Sequence, residues 1–217
     1  MNKIMLIGLT VMSLSPFANA QSYDYVSGSI GVVSEYFYRG ESQGSGSANQ
    51  MNLHFENKGW FGGVSASQTE KYNANWEHDF YIGYEHNLSE NMSVTGGVVK
   101  YDFDHQWLKI GPTRNEVGSD DVVEAFVGGT YKSVSVDYYT NLDNSDLTFL
   151  EMGYMVPLGI ADVDLMMTYG RFNGGADVYG LKGLKSFGQW DLSAMIMEHN
   201  RNGSYMNHNS IGLHLNF

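Results

Sequence analysis

The chain has 217 residues, no cysteine, and 24 acidic against 12 basic side chains, a formal charge of −12. That excludes disulfides and thiolate metal sites, and it argues against nucleic acid, whose phosphates want clustered Lys and Arg. With 26 glycines and 14% aromatics, the chain suits neither a helical bundle nor a disordered segment, and one strand-rich domain is left.

The chain opens on Met1-Asn2-Lys3, runs apolar from Ile4 to Phe17, and reaches a small-x-small site at Ala18-Asn19-Ala20. This order predicts a signal peptide over residues 1–20, cleaved to leave a single domain over 21–217, and the apolar stretch is too short to span a bilayer. No Cys follows the cleavage site, so no lipid anchor is expected. Beyond it no long apolar run suggests a membrane helix, but a barrel strand carries only a weak average signal.

Alternation then takes over. Gln50-Met51-Asn52-Leu53-His54-Phe55-Glu56 changes character at every step, as do Ser133 to Tyr138 and Ser210 to Phe217. Period two is the strand signature. Twelve strands are predicted, near 26–39, 49–56, 60–68, 76–86, 92–103, 121–131, 133–140, 147–156, 161–172, 177–186, 189–199 and 208–217. Tight turns such as Asn57-Lys58-Gly59, Lys132 and Phe187-Gly188 follow the even strands. Longer polar loops follow the odd ones: Gly40 to Ala48, Asp104 to Asp120, Asn200 to Asn207. Loops sorted this way indicate a transmembrane antiparallel up-and-down β-barrel, all-β, with short turns on the periplasmic side.

One parity collects Val26, Ile30, Met51, Leu53, Phe55, Leu165, Ile196, Ile211 and their like; the other is polar. Aromatics on the apolar parity form two belts. Trp60, Tyr84, Tyr131, Tyr154, Trp190 and Phe217 lie beside the short turns, and Tyr36, Tyr38, Tyr138, Tyr169 and Tyr179 lie toward the long loops. Such belts mark the two interfaces of a bilayer. Lys100 falls on the lipid parity near the outer rim, where its ammonium could snorkel to headgroups. A β-bulge near Val98-Val99 would instead turn it inward.

The segment Ser34-Glu35-Tyr36-Phe37-Tyr38-Arg39-Gly40-Glu41-Ser42-Gln43 resembles the N-terminal signature of the TorF family of porins. Glu77-His78-Asp79-Phe80-Tyr81-Ile82-Gly83-Tyr84, Glu124 to Gly128 and Glu151-Met152-Gly153-Tyr154 add weaker matches, so the resemblance spans about Gly28 to Phe217. It implies an outer-membrane barrel with a pore role and no defined substrate.

The polar parity places Glu35, Glu56, Glu77, Asp79, Glu124, Asp137, Glu151, Asp164 and Asp191 against Arg39 and Lys182. Lining a wet lumen, they would favour cations, with Arg39 opposing carboxylates across the passage. The same groups could form a hydrogen-bonded plug. Twelve strands give a backbone radius of roughly 12 Å, between filled and open barrels. Hairpin geometry is expected to bring Asp137, Glu151 and Asp164 to one height, as a cation site or a solvated stripe. There is no His-x-His or His-Glu-x-x-His, and the outer-facing hydroxyls have no evident His partner, so no enzyme, metal site or cofactor is expected. Asp143-Asn144-Ser145-Asp146 lacks the Gly and Glu of a calcium loop and reads as a polar hairpin.

The reading is a porin-like channel in the outer membrane of a Gram-negative bacterium, passing small polar, cationic solutes. The alternative is a non-conducting structural or adhesion barrel that works through its loops. Outer-membrane lipid is the expected surroundings, and the barrel-assembly machinery, reading the strand that ends in Phe217, the expected partner during biogenesis.

Overall fold

The structure, a computed structural model, describes residues 25–71, 74–105, 121–158 and 163–217. The signal segment and most of the 104–120 loop fall outside them. Alternating sequence becomes strand: β1 Tyr25–Val33, β2 Phe37–Tyr38, β3 Glu41–Ser42, β4 Ala48–Asn57, β5 Trp60–Gln68, β6 Ala74–Ser89 and β7 Met92–His105. The second half continues as β8 Val122–Tyr131, β9 Val134–Asn141, β10 Thr148–Val156, β11 Val163–Phe172, β12 Asp177–Phe187, β13 Trp190–Arg201 and β14 Ser204–Asn216. All but β2 and β3 form one closed barrel, each strand antiparallel to its neighbours in sequence order. A closed barrel leaves no unpaired edge, as lipid requires.

Closure is made by β14 on β1, with Val32 opposite Leu213 and Ser29 opposite Asn216. Reciprocal backbone bonds of 2.9 Å between Gly28 and Phe217 extend it by one rung. The apolar parity faces out: Val26 is 70% exposed, Ile196 61% and Ile211 62%. At the short-turn end Trp60, Tyr84, Tyr131, Tyr154, Trp190 and Phe217 are all exposed, and Trp60 packs edge-on against Tyr84. An apolar outer wall with an aromatic ring at one end and a polar inner wall is the form a bilayer selects.

Lys100 faces outward. The β7–β8 register runs unbroken through Val98↔Ala125, Val99↔Glu124 and Lys100↔Val123, so no bulge intervenes. Its ammonium lies 2.9 Å from both Asp102 and Asp121 at the outer rim. The outward parity thus tolerates a base where two local carboxylates balance it.

Two expected boundaries are corrected. The last outer connection is not a loop over Asn200 to Asn207. β13 and β14 run on to Arg201 and Ser204 and join through Asn202-Gly203, both at positive φ (54° and 80°). Asn-Gly accepts that geometry readily, and it forms the primed hairpin turn. The first strand stops at Val33 instead of reaching Arg39. Residues 34–47 leave the wall and fold into the barrel, carrying the short β2–β3 hairpin.

Candidate functional site

The inward hairpin is built from the stretch Tyr36-Phe37-Tyr38-Arg39. Three consecutive aromatics present apolar rings on both faces, which suits a segment enclosed on all sides. Tyr36 and Phe37 are 3% and 1% exposed, so the expectation that Tyr36 and Tyr38 belong to the outer aromatic belt is corrected. Phe37 lies in a cluster with inward residues of many strands, among them Phe61, Val99, Phe126, Tyr139, Phe149, Val178 and Met197. At the level of the hairpin the lumen is therefore filled, by packed rings more than by the hydrogen-bonded charges of the expected plug. Room is made by small residues: a Cβ on Gly97 would lie 2.6 Å from the Phe126 ring.

Arg39 turns the hairpin. It sits at φ 47°, unusual for a long side chain, followed by Gly40 at 80°. Both ends of its guanidinium donate to Glu124, Nη1 to Oε1 at 2.9 Å and Nη2 to Oε2 at 2.8 Å. Its Cζ lies 4.5 Å from the ring centroids of Tyr139 and Phe149 and 4.8 Å from that of Tyr38. Bidentate pairing and ring stacking are the contacts a planar guanidinium makes best. Tyr101 adds its hydroxyl to Glu124 at 3.2 Å and shares a 2.7 Å bond with the Tyr38 hydroxyl.

The rest of the segment is fixed along its length. Ser34 bonds across to Ile211, and the Ser210 hydroxyl donates to the Glu35 carbonyl at 2.7 Å. The Glu35 carboxylate meets His208 Nδ1 at 3.1 Å. Tyr36 donates to Glu77 at 3.3 Å, Lys71 donates to Glu41 at 2.8 Å, and the Gln43 carbonyl accepts from Glu70 N and the Thr69 hydroxyl. Burial opposes ionisation of Glu41, but the Lys71 ammonium outweighs it and holds the carboxyl below its usual value.

The remaining candidate lumen residues fall at several heights. Glu77, Asp79, Glu124, Asp137 and Lys182 are buried inside the barrel; Glu56, Glu151 and Asp164 are half-buried. Asp137 stands directly opposite Glu151, but the β11 partner of Glu151 is Gly170, and Asp164 lies beyond the last β10–β11 pair. The expected stack of three carboxylates is corrected to a pair. Strand stagger carries Asp164 to the short-turn end, where Asp191 is its neighbour. Asp191 accepts from Ser186 at 2.6 Å and Asn216 at 2.7 Å. Between the hairpin and the wall lies a cavity of about 180 Å³, bounded by Arg39, Glu41, Lys71, Glu77, Tyr101 and Phe172 among others. A smaller one of about 20 Å³ lies beside Glu35, Gln50 and Lys182. Sequence reading missed Lys71 and the inward aromatics Phe61, Phe126 and Phe149. Their signal was present, as apolar residues on a parity otherwise polar.

This geometry defines a class: a twelve-stranded transmembrane β-barrel with a segment of its own chain seated in the lumen. A family model described as "Bacterial protein of unknown function (Gcw_chp)" matches residues 17–204, and the chain belongs to that family. No curated protein matches it. Among solved structures it is similar to the one described as "Unveiling the Mechanism Behind the in-meso Crystallization of Membrane Proteins", at 9% identity and TM-score 0.56, over 88% of this chain and 83% of that one. It is more distantly similar to Acinetobacter baumannii OccAB3, at 9% identity and TM-score 0.44, over 87% of this chain and 59% of that one. Pseudomonas aeruginosa OprD gives 10% identity and TM-score 0.42, over 88% of this chain and 66% of that one. The chain thus spans less than two thirds of those two, and at such identities the likeness is one of fold.

Proposed function

We propose that the chain is an outer-membrane porin of the TorF type, passing small polar solutes and closed, in the state described, by the hairpin of residues 34–47. The observation that carries the reading is a closed barrel, apolar outside and charged within. A barrel that only anchored loops would have no use for buried carboxylates on its inner wall, which are costly to desolvate. Glu77, Asp79 and Asp137 have no base paired with them among the described residues, which supports a preference for cations. The packed interior around Phe37 favours a second reading, a barrel that does not conduct.

The two separate in a planar bilayer. The chain has no cysteine, and a Cβ on Gly40 would lie 3.0 Å from the Cβ of His199, about half an ångström inside disulfide spacing, so the turn at Gly40 (φ 80°) must open slightly to close a bridge. In the Gly40→Cys, His199→Cys barrel, potassium conductance should be low when oxidised and rise on reduction. Equal conductance in both states means the passage bypasses the hairpin. No conductance in wild type or in either state of the variant establishes the second reading.

A further inference from the structure

The larger cavity carries an unbalanced charge, and we infer that it is a binding site for a small organic monocation, an alkyl- or quaternary-ammonium solute. The inference rests on the porin reading for the solute's route onward, though not for binding itself. Five charged side chains bound the cavity. Arg39 is spent on Glu124, with both Nη nitrogens engaged. Lys71 is spent on Glu41. Glu77 remains, 2% exposed, with no ion pair among the described residues; it takes a bond of 3.3 Å from the Tyr36 hydroxyl and shares a second with the Asp79 carboxyl. Asp79, two residues along on the same face, is fully buried. Its Oδ2 is held by Ser65, and two carboxyls in contact share one proton, so the Glu77–Asp79 pair carries one negative charge.

A carboxylate accepts and does not donate, so the cavity takes a cation and rejects anions. The one negative charge of the Glu77–Asp79 pair balances one positive charge. The remaining wall is aromatic: Tyr38 on the hairpin, Tyr101 and Phe103 on β7, Phe172 at the end of β11. Ring faces attract a cation and shelter its methyl or methylene groups. A metal ion is the poorer fit, because hard cations want six or more oxygens, and the described residues hold no group of three acidic or histidine ligands. At about 180 Å³ the space is smaller than a drug-sized pocket and suits a solute of roughly ten heavy atoms or fewer.

Choline and its uncharged isostere 3,3-dimethyl-1-butanol make the test, titrated calorimetrically into folded barrel in detergent at constant ionic strength set with NaCl. Choline should bind saturably at one site and the isostere at least roughly tenfold more weakly, the step that one lost charge contact of moderate strength produces. The double variant Glu77→Gln, Asp79→Asn, which removes the pair's charge, should weaken choline by a similar factor, while Asp143→Asn on an exposed outer loop leaves it unchanged. If that double variant does not give a heat-modifiable barrel, Phe103→Ala replaces it, with the same expected direction. Equal binding of choline and isostere, no binding of choline at all, or wild-type affinity in the Glu77 and Phe103 variants overturns the site. Absent choline binding beside intact potassium conductance refutes the site alone, whereas intact binding beside absent conductance refutes the porin reading alone.

Discussion

Arg39 shows how one side chain can hold a lumen shut. Its backbone lies in the left-handed region, which costs a long residue of the order of 1–2 kcal/mol. Its head repays this with two charge-assisted bonds to Glu124 and two rings at 4.5 Å. Both partners are about nine-tenths buried, so removing one leaves the other as a stranded charge. Arg39→Ala should therefore lower stability by about 3–5 kcal/mol. The double variant Arg39→Leu, Glu124→Leu, in which no charge is stranded, should lose less. The temperature at which the compact gel band disappears measures both. An equal or larger loss in the double variant would show that the pair contributes by attraction more than by mutual neutralisation.

At the scale of elements, the hairpin is lumen filling that belongs to none of the barrel strands, so it should be separable from them. Replacing residues 36–44 by a short Gly-Ser linker keeps Ser34 on β14 and Ala48 at the start of β4. It exposes Val99, Phe126, Phe149 and Met197 to water and takes away their packing against Phe37. The shortened barrel should still fold, melt several degrees lower, and conduct potassium more than wild type; unchanged conductance would place the barrier elsewhere in the lumen. How much of this the sequence discloses depends on the element. Strands such as β4 and β14, with lipid on one side and polar lumen on the other, alternate cleanly and can be read residue by residue. Tyr36-Phe37-Tyr38 scores as strand by composition, since aromatics suit sheets, and only enclosure on every side separates it from a wall strand. The aromatics it meets, Phe61, Phe126 and Phe149, interrupt the polar parity of β5, β8 and β10, and that interruption is the trace a buried plug leaves in sequence. The heights of Asp137, Glu151 and Asp164 depend on stagger between strands, which no single strand encodes.

For the whole molecule the governing fact is that its two solvents are exchanged relative to a soluble barrel, with lipid outside and a polar interior within. The cost of a charge therefore depends on which way a position faces more than on how conservative the change looks. Ile196 lies mid-strand in β13, 61% exposed on the apolar face. Arg there meets hydrocarbon at mid-strand, with Glu198 two residues nearer the rim on the same face, and should cost about 2–4 kcal/mol. Lys100 shows the condition under which a base is borne on that face, since it stands at the rim between Asp102 and Asp121. Asp164 faces inward near the short turns, beside Asp191. Arg at that position exchanges repulsion between two acids for an ion pair and should be tolerated. Refolding yield into bilayers of fixed thickness compares the two on equal terms. Ile196→Arg is expected to fold poorly and Asp164→Arg close to wild type, and the opposite order would mean that the inner and outer walls have been exchanged.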